Sequence, residues 1–180
     1  MRDAGHSDRV RYTVWYPAQP DAKEQPLTIG PPGAPLFQEG SSAVDAPVAP
    51  GRWPLLLVSH GNGGSARMMG WFGTALARAG YVVVALDHPG NNGVDPMTDA
   101  GSILMWNRAD DLAAALAAVQ ADPVLSPHVD AERLGWWAIR LVGSRRWWLP
   151  VRVRTWAGWS PSARLRRRMG SACRRPRIPR

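Results

Sequence analysis

The pentapeptide His60-Gly61-Asn62-Gly63-Gly64 follows directly on the apolar run Leu55-Leu56-Leu57-Val58-Ser59. An apolar run without polar alternation is the pattern of a strand buried on both faces, as in a parallel sheet. Glycines after such a strand let backbone N–H groups turn outward beside a helix start, where they can hold negative charge developing on an oxygen. A strand-to-helix turn with no chemistry is the competing reading of the same five residues. Other reactive groups are sparse. A metal site could draw on His60, Asp87, His88 and His128, since His60 and Asp87-His88 fall at the carboxyl ends of neighbouring strands, where ligands gather. Yet His60 belongs to the glycine turn, Asp87-His88 is expected to order the loop after it, and His6 and His128 are expected in solvent. No metal site and no cofactor are therefore expected. Asp110-Asp111 opens the polar face of a helix and has no evident partner for acid–base work. Ser59 lies in strand context and is not expected to be a nucleophile.

The elements that position the turn can be read on both sides of it. Val10 to Trp15 carries Tyr, Thr, Val and Trp in loose alternation and predicts a strand closed by Pro17. Residues 17–54 are rich in proline and glycine with little periodicity, which predicts a long surface loop. Ser65 predicts the N-cap of a helix over 66–79, with Met68, Phe72, Leu76 and Ala79 on its apolar face. Gly80 ends that helix in the left-handed region. A second buried strand is expected over Tyr81–Leu86. A second helix is expected over about 103–121, packing through Trp106, Leu112, Leu116 and Val119. Arg133-Leu134-Gly135 approaches a third strand. Strands alternating with helices place this run in one parallel sheet with helices on its faces.

Composition divides the chain. All 14 acidic residues lie between Asp3 and Glu132, against nine basic residues in 1–135. Residues 136–180 hold 13 arginines, no Asp, Glu or Lys, and six of the ten tryptophans. Clusters such as Trp136-Trp137-Ala138-Ile139-Arg140 and Arg164 to Arg168 fit neither helical nor strand period. The expected organisation is an α/β domain over 1–135 and a basic, unfolded tail over 136–180. No run approaches the ~18 apolar residues of a membrane span, and the start, MRDAGHSDRV, has no apolar core of an export signal. As written, the chain is therefore expected in the cytoplasm. The lone Cys173 excludes an internal disulfide and a cysteine-built zinc site.

The segments VWYPA (14–18), PLLLVSHGNGG (54–64), LARAGYVVVALDHPG (76–90), RADDLAAAL (108–116) and DAERLG (130–135) together resemble the α/β-hydrolase family. The resemblance is to the bacterial serine hydrolases similar to dienelactone hydrolases and platelet-activating-factor acetylhydrolases, and it covers roughly residues 10–135. It implies an incomplete α/β-hydrolase parallel sheet with flanking helices, a small ester substrate for the intact relative, and no cofactor. In that family the residue after His-Gly donates its N–H to the oxyanion hole; here it is Asn62, framed by His60, Gly61, Gly63 and Gly64. The next strand should end in a G-x-S-x-G elbow bearing the nucleophile. None exists in this chain. Gly158-Trp159-Ser160-Pro161-Ser162 and Gly143-Ser144 are near misses, and neither follows an apolar strand. Nucleophile, acid and histidine would all lie beyond residue 135, so the chain is expected to be inactive. Intact relatives are in many cases exported.

Tryptophan has a single codon, TGG, which permits partial back-translation of the tail. Reading from the third base of each codon after Gly135 gives an apolar residue, then a forced Val across Trp136–Trp137 and a forced Gly across Trp137–Ala138. The next positions permit His and Ser, then, after one residue, Gly-Gly. That is an elbow where the family requires one. Cysteine cannot arise at the nucleophile position in this frame, so the lost nucleophile would be serine. An Arg-to-Lys count of 21 to 1 fits a GC-rich gene, whose shifted frames favour Arg, Trp, Pro and Ala. Residues 136–180 are thus expected to be out of frame. The alternative is a genuine arm whose arginines and tryptophans bind nucleic acid or an anionic membrane. In either case non-specific binding of polyanions follows from its charge.

Overall fold

The computed structural model describes residues 2–7, 10–31, 33–104 and 106–138, with the backbone alone for 2–7. In chain order the strands are β1 (Arg2–Ser7), β2 (Val10–Trp15), β3 (Gln25–Ile29), β4 (Phe37–Ser42), β5 (Trp53–Ser59), β6 (Val82–Asp87) and β7 (Val129–Ala138). The α-helices are α1 (Gly70–Arg78), α2 (Asp99–Ile103) and α3 (Asn107–Ala121). Five strands form one sheet in the order β1-β2-β6-β5-β7. β5 runs parallel to both β6 and β7, whereas β2 runs antiparallel to β6 and β1 antiparallel to β2. The expected parallel core is present, and its N-terminal side is an antiparallel addition.

The unbroken apolar text of β6 has its explanation in two-sided burial. Val82, Val84 and Leu86 face one core with Val14, Leu55, Leu57, Ala115 and Val119. Val83 and Ala85 face the other with Trp15, Val58, Met69 and Ala77. Successive strand residues point to opposite faces, so a strand covered by α3 on one side and α1 on the other has no polar position to spare.

Several boundaries differ from the expected ones. Residues 17–54 are not simply a loop, because β3 and β4 pair as an antiparallel ribbon and Leu27 of β3 is buried in the α1-side core. Its proline and glycine content masked a strand pair too short to show a period. The ribbon's base is fastened by the Ala18–Val48 bridge and by the Tyr16 hydroxyl, which donates to the Ala46 carbonyl over 2.9 Å.

The first helix starts as a 3₁₀ turn, Arg67–Met69, before α1. The N-cap position is Ala66 rather than the expected Ser65, whose hydroxyl stands one residue earlier and accepts from the Met68 N–H at 3.4 Å. Gly80 ends the helix at φ +87°. The fully buried side is Gly70, Gly73, Thr74 and Ala77 rather than the expected Met68 stripe. A methyl group on Gly73 would lie 2.3 Å from the Trp15 ring, so the helix sits on the sheet through its smallest residues. Phe72 and Leu76 pack at the margin of the same core.

The second expected helix is two helices. Thr98 caps α2, its hydroxyl accepting from the Gly101 N–H at 3.0 Å, and the chain breaks before α3. Trp106 lies at that break and is 69% exposed, not packed as expected. Leu112, Leu116 and Val119 do pack on the core.

β7 runs three residues past Gly135. Trp136, Trp137 and Ala138 pair with Leu57, Val58 and Ser59, and the Trp137 ring stacks on Phe72 with centroids 4.5 Å apart. The ladder is made by backbone groups, so β5 can hold residues whose own pattern carries no strand period. The rest of the basic tail, 139–180, lies outside the described residues, as do Gly143-Ser144, Gly158 to Ser162 and Cys173.

Candidate active site: the glycine turn and the polar chain beneath it

The turn stands at the carboxyl end of β5, between the ends of β6 and β7. Its peptide groups are held one by one. The His60 carbonyl accepts from Arg108 Nη1 at 2.5 Å. The Gly61 carbonyl accepts from His60 Nδ1 at 2.6 Å and from the Gly64 N–H at 3.3 Å. The Gly63 N–H donates to Asn91 Oδ1 at 3.0 Å, with Gly63 at φ +65°, where a side chain would be strained. Gly64 lies so close to His60 that an added Cβ would stand 3.2 Å from it. Carbonyl and following N–H point oppositely across a trans peptide. Pinning the Gly61 carbonyl inward therefore turns the Asn62 N–H outward. Asn62 is exposed, and its N–H has no acceptor among the described residues.

Beneath the turn lies a polar chain that the sequence reading did not assemble. Ser59 Oγ is 2.8 Å from His88 Nε2, and His88 Nδ1 is 2.8 Å from Asp111 Oδ2. Arg108 Nη1 donates to the same Ser59 Oγ at 3.1 Å. The protons can be placed. A carboxylate only accepts, so His88 carries its proton on Nδ1; Nε2 then accepts from the Ser59 hydroxyl. His60 follows the same rule, because its Nε2 accepts from the His88 N–H at 3.3 Å and its Nδ1 donates to Gly61.

Both imidazoles are therefore neutral. Burial drives the His60 pKa down to about 4, against the opposing pull of the Gly61 carbonyl. Burial also lowers that of His88, outweighing the Asp111 carboxylate. Asp87 is shifted upward by burial and holds the Ala66 N–H at 2.7 Å, tying β6 to the start of the first helix.

Asp111 thus has the partner that Asp110-Asp111 was expected to lack, and Asp110 is exposed. The pairing crosses 23 residues from strand end to helix, so adjacency in sequence could not reveal it. His88 also orders its loop as expected, its carbonyl accepting from the Asn91 N–H at 3.1 Å and Asn92 Nδ2 at 2.9 Å. His128 is half-buried rather than solvated, with Nδ1 3.1 Å from the Gly51 carbonyl. The side chain of His6 lies outside the described residues. His60 and His88 lie side by side, ring centroids 5.1 Å apart. Among the described residues no cluster of three or more His, Cys, Asp or Glu could hold a metal ion. No described helix is long and apolar enough to cross a membrane. A cavity of about 350 Å³ is lined by His88, Arg108 and Asp111 among others, and no residue of the turn reaches it.

The family profile of platelet-activating factor acetylhydrolase, isoform II, matches residues 40–95, which hold β5, the turn, α1 and β6. Among solved structures the chain is similar to a ferulic acid esterase from Streptomyces cinnamoneus, at 26% identity and a TM-score of 0.56. That similarity covers 72% of this chain and 44% of the esterase, so the chain spans less than half of the esterase's length. No curated protein matches the sequence. The N-terminal portion of the chain is thus α/β-hydrolase-like, of the serine hydrolase kind that its motifs resemble.

Proposed function

We propose that residues 1–135 are the oxyanion-turn portion of a serine carboxylic-ester hydrolase, and that the chain as written is catalytically inactive. The observation that carries this reading is the Asn62 N–H, turned outward at the end of β5 by the Gly61 carbonyl pinned on its inner side. Such a donor stabilises the oxygen of a tetrahedral intermediate as charge develops on it. The substrate class is an ester, by similarity to an acetylhydrolase family and an esterase. Acyl transfer also needs a hydroxyl nucleophile, a base and a carboxylate in mutual reach. The Ser59–His88–Asp111 chain has that order of groups but not their access. Ser59 is 4% exposed, and its oxygen is occupied by Arg108.

The nucleophile of the working enzyme would follow β7, where a one-base shift of reading after Gly135 permits a serine elbow. Residues 136–180 are, on this reading, the out-of-frame text, which belongs to a cytoplasmic chain as written. Sequencing gene and transcript across the codons for Glu132 to Arg168 tests it. An open alternative frame should encode the elbow, then a carboxylate and a histidine. Restoring that frame should then confer hydrolysis of p-nitrophenyl acetate on a chain that otherwise has none. A frame that closes at once, or restoration without activity, refutes the reading.

A second reading rests on the 13 arginines and six tryptophans of residues 136–180. They make an arm that neutralises phosphates and stacks on bases, or lies on an anionic membrane. It requires a specific ligand that the separate segment 136–180 still selects. Binding every polyanion alike, with affinity collapsing in salt, is what an accident of frame produces.

A further inference from the structure

We propose that Arg108 is the positioning residue of the oxyanion turn, a clamp reaching from α3 that sets the direction of the Asn62 N–H. The proposal rests on the reading of Asn62 as the oxyanion donor. Arg108 touches three separate parts of the site. Nη1 donates to the His60 carbonyl and to Ser59 Oγ at the end of β5, and Nη2 donates to Asn91 Oδ1 at 3.2 Å. Asn91 transmits the hold. Its Oδ1 takes the Gly63 N–H, while its Nδ2 donates to Asn62 Oδ1 at 2.8 Å and to Ser102 Oγ at 3.2 Å. One guanidinium thus fixes the His60–Gly61 peptide directly and the Asn62–Gly63 peptide through Asn91. It so holds both neighbours of the Gly61–Asn62 peptide, whose own carbonyl is held by His60 Nδ1. Asn91 is fully buried and Arg108 half-buried, so water does not compete freely for these bonds.

The Ser59–His88–Asp111 chain explains why the clamp holds still. Asp111 fixes His88, His88 Nε2 accepts from the Ser59 hydroxyl, and the Ser59 oxygen turns a lone pair toward Arg108. A planar fork meets several acceptors at set angles, which an ammonium cannot do. Ser59 is on this view an anchor and no nucleophile, its proton and its oxygen both engaged.

The test uses the full chain labelled with 15N-asparagine. The sequence has four asparagines, so four backbone signals result, and Asn62 is assigned by the loss of its signal in Asn62→Gly. Phenylphosphonate serves as the oxyanion probe. In the unsubstituted chain the Asn62 signal should shift saturably. In Arg108→Gln the signal should move before any probe is added, and the probe should bind about tenfold more weakly, the loss expected of one charge-assisted hydrogen bond. Arg108→Lys should not restore it. Variants that melt earlier but keep the Asn62 signal and the probe affinity overturn the proposal. If the unsubstituted chain shows no response, the oxyanion reading falls, and the displacement of Asn62 by Arg108→Lys decides the clamp separately. Should the Arg108 variants fail to fold, Asn91→Ser carries the same readout. Unfolding of all three assigns Arg108 to stability and also overturns the proposal. A fluorophosphonate adduct on Ser59 would refute its role as an anchor.

Discussion

Two neutral histidines side by side in a buried site make the protonation state a structural requirement. His60 Nε2 accepts from the His88 backbone N–H, so a proton there would set donor against donor. A proton on His88 Nε2 would force the Ser59 hydroxyl to turn and accept. The sign of the consequence follows from linkage. The folded pKa of each lies below the unfolded value of about 6.5, so the unfolded chain binds more protons as the pH falls below it, for His60 down to about 4. Stability is fully present above pH 6.5 and falls as the pH drops through this window. The His60 contribution is at most about 3–4 kcal/mol, from about 1.4 kcal/mol per unit of pKa. Asp87, with its pKa raised, opposes the trend, since its protonation relieves a buried charge. Melting temperature followed from pH 7.5 to 4 should fall, and His60→Gln should flatten the curve. A flat profile in the unsubstituted chain would show that the histidines are hydrated.

Elements and their contacts set what was legible from sequence. β5, β6 and the turn were readable because two-sided burial leaves an unbroken apolar run, and because glycines mark where backbone must approach a side chain. The role given to Asn62 came from the family resemblance and not from that text. What escaped was set by contacts between distant segments. Asp111 meets His88 only once α3 lies across the sheet, and Arg108 carries no local mark distinguishing it from a solvated helix arginine. The buried side of α1 was misplaced because Gly70 and Gly73 are silent in an apolar pattern, although they permit the closest approach. Gly73→Ala should therefore destabilise by about 1–3 kcal/mol, as overpacking against an immobile ring does. Gly80→Ala should cost about 1–2 kcal/mol, through its positive φ and the 3.3 Å approach of the added methyl to the Trp53 ring. Urea unfolding measures both, and equal small effects would mean that Trp15 yields.

Among the described residues the five-stranded sheet ends in two edge strands, β1 and β7. β7 pairs with β5, and no strand among the described residues lies on its outer side. Trp71, Trp136 and Trp137 are exposed nearby, at 53%, 44% and 38%. An open edge beside exposed aromatics invites a second chain. Light scattering should show concentration-dependent association of the full chain, and Trp137→Lys should reduce it. Undiminished association would move the cause to the arginine-rich segment.

The pairing of Trp136, Trp137 and Ala138 with β5 bears on how such a chain tolerates error. A ladder of amides reads spacing and direction, and it is blind to the letters that ride on it. On the proposed frameshift, three residues of foreign text are therefore threaded into the sheet with no misprint detected. On that proposal the fault would surface only where one particular hydroxyl has to stand on a turn. Architecture in this protein is a forgiving reader, and chemistry is the proofreader.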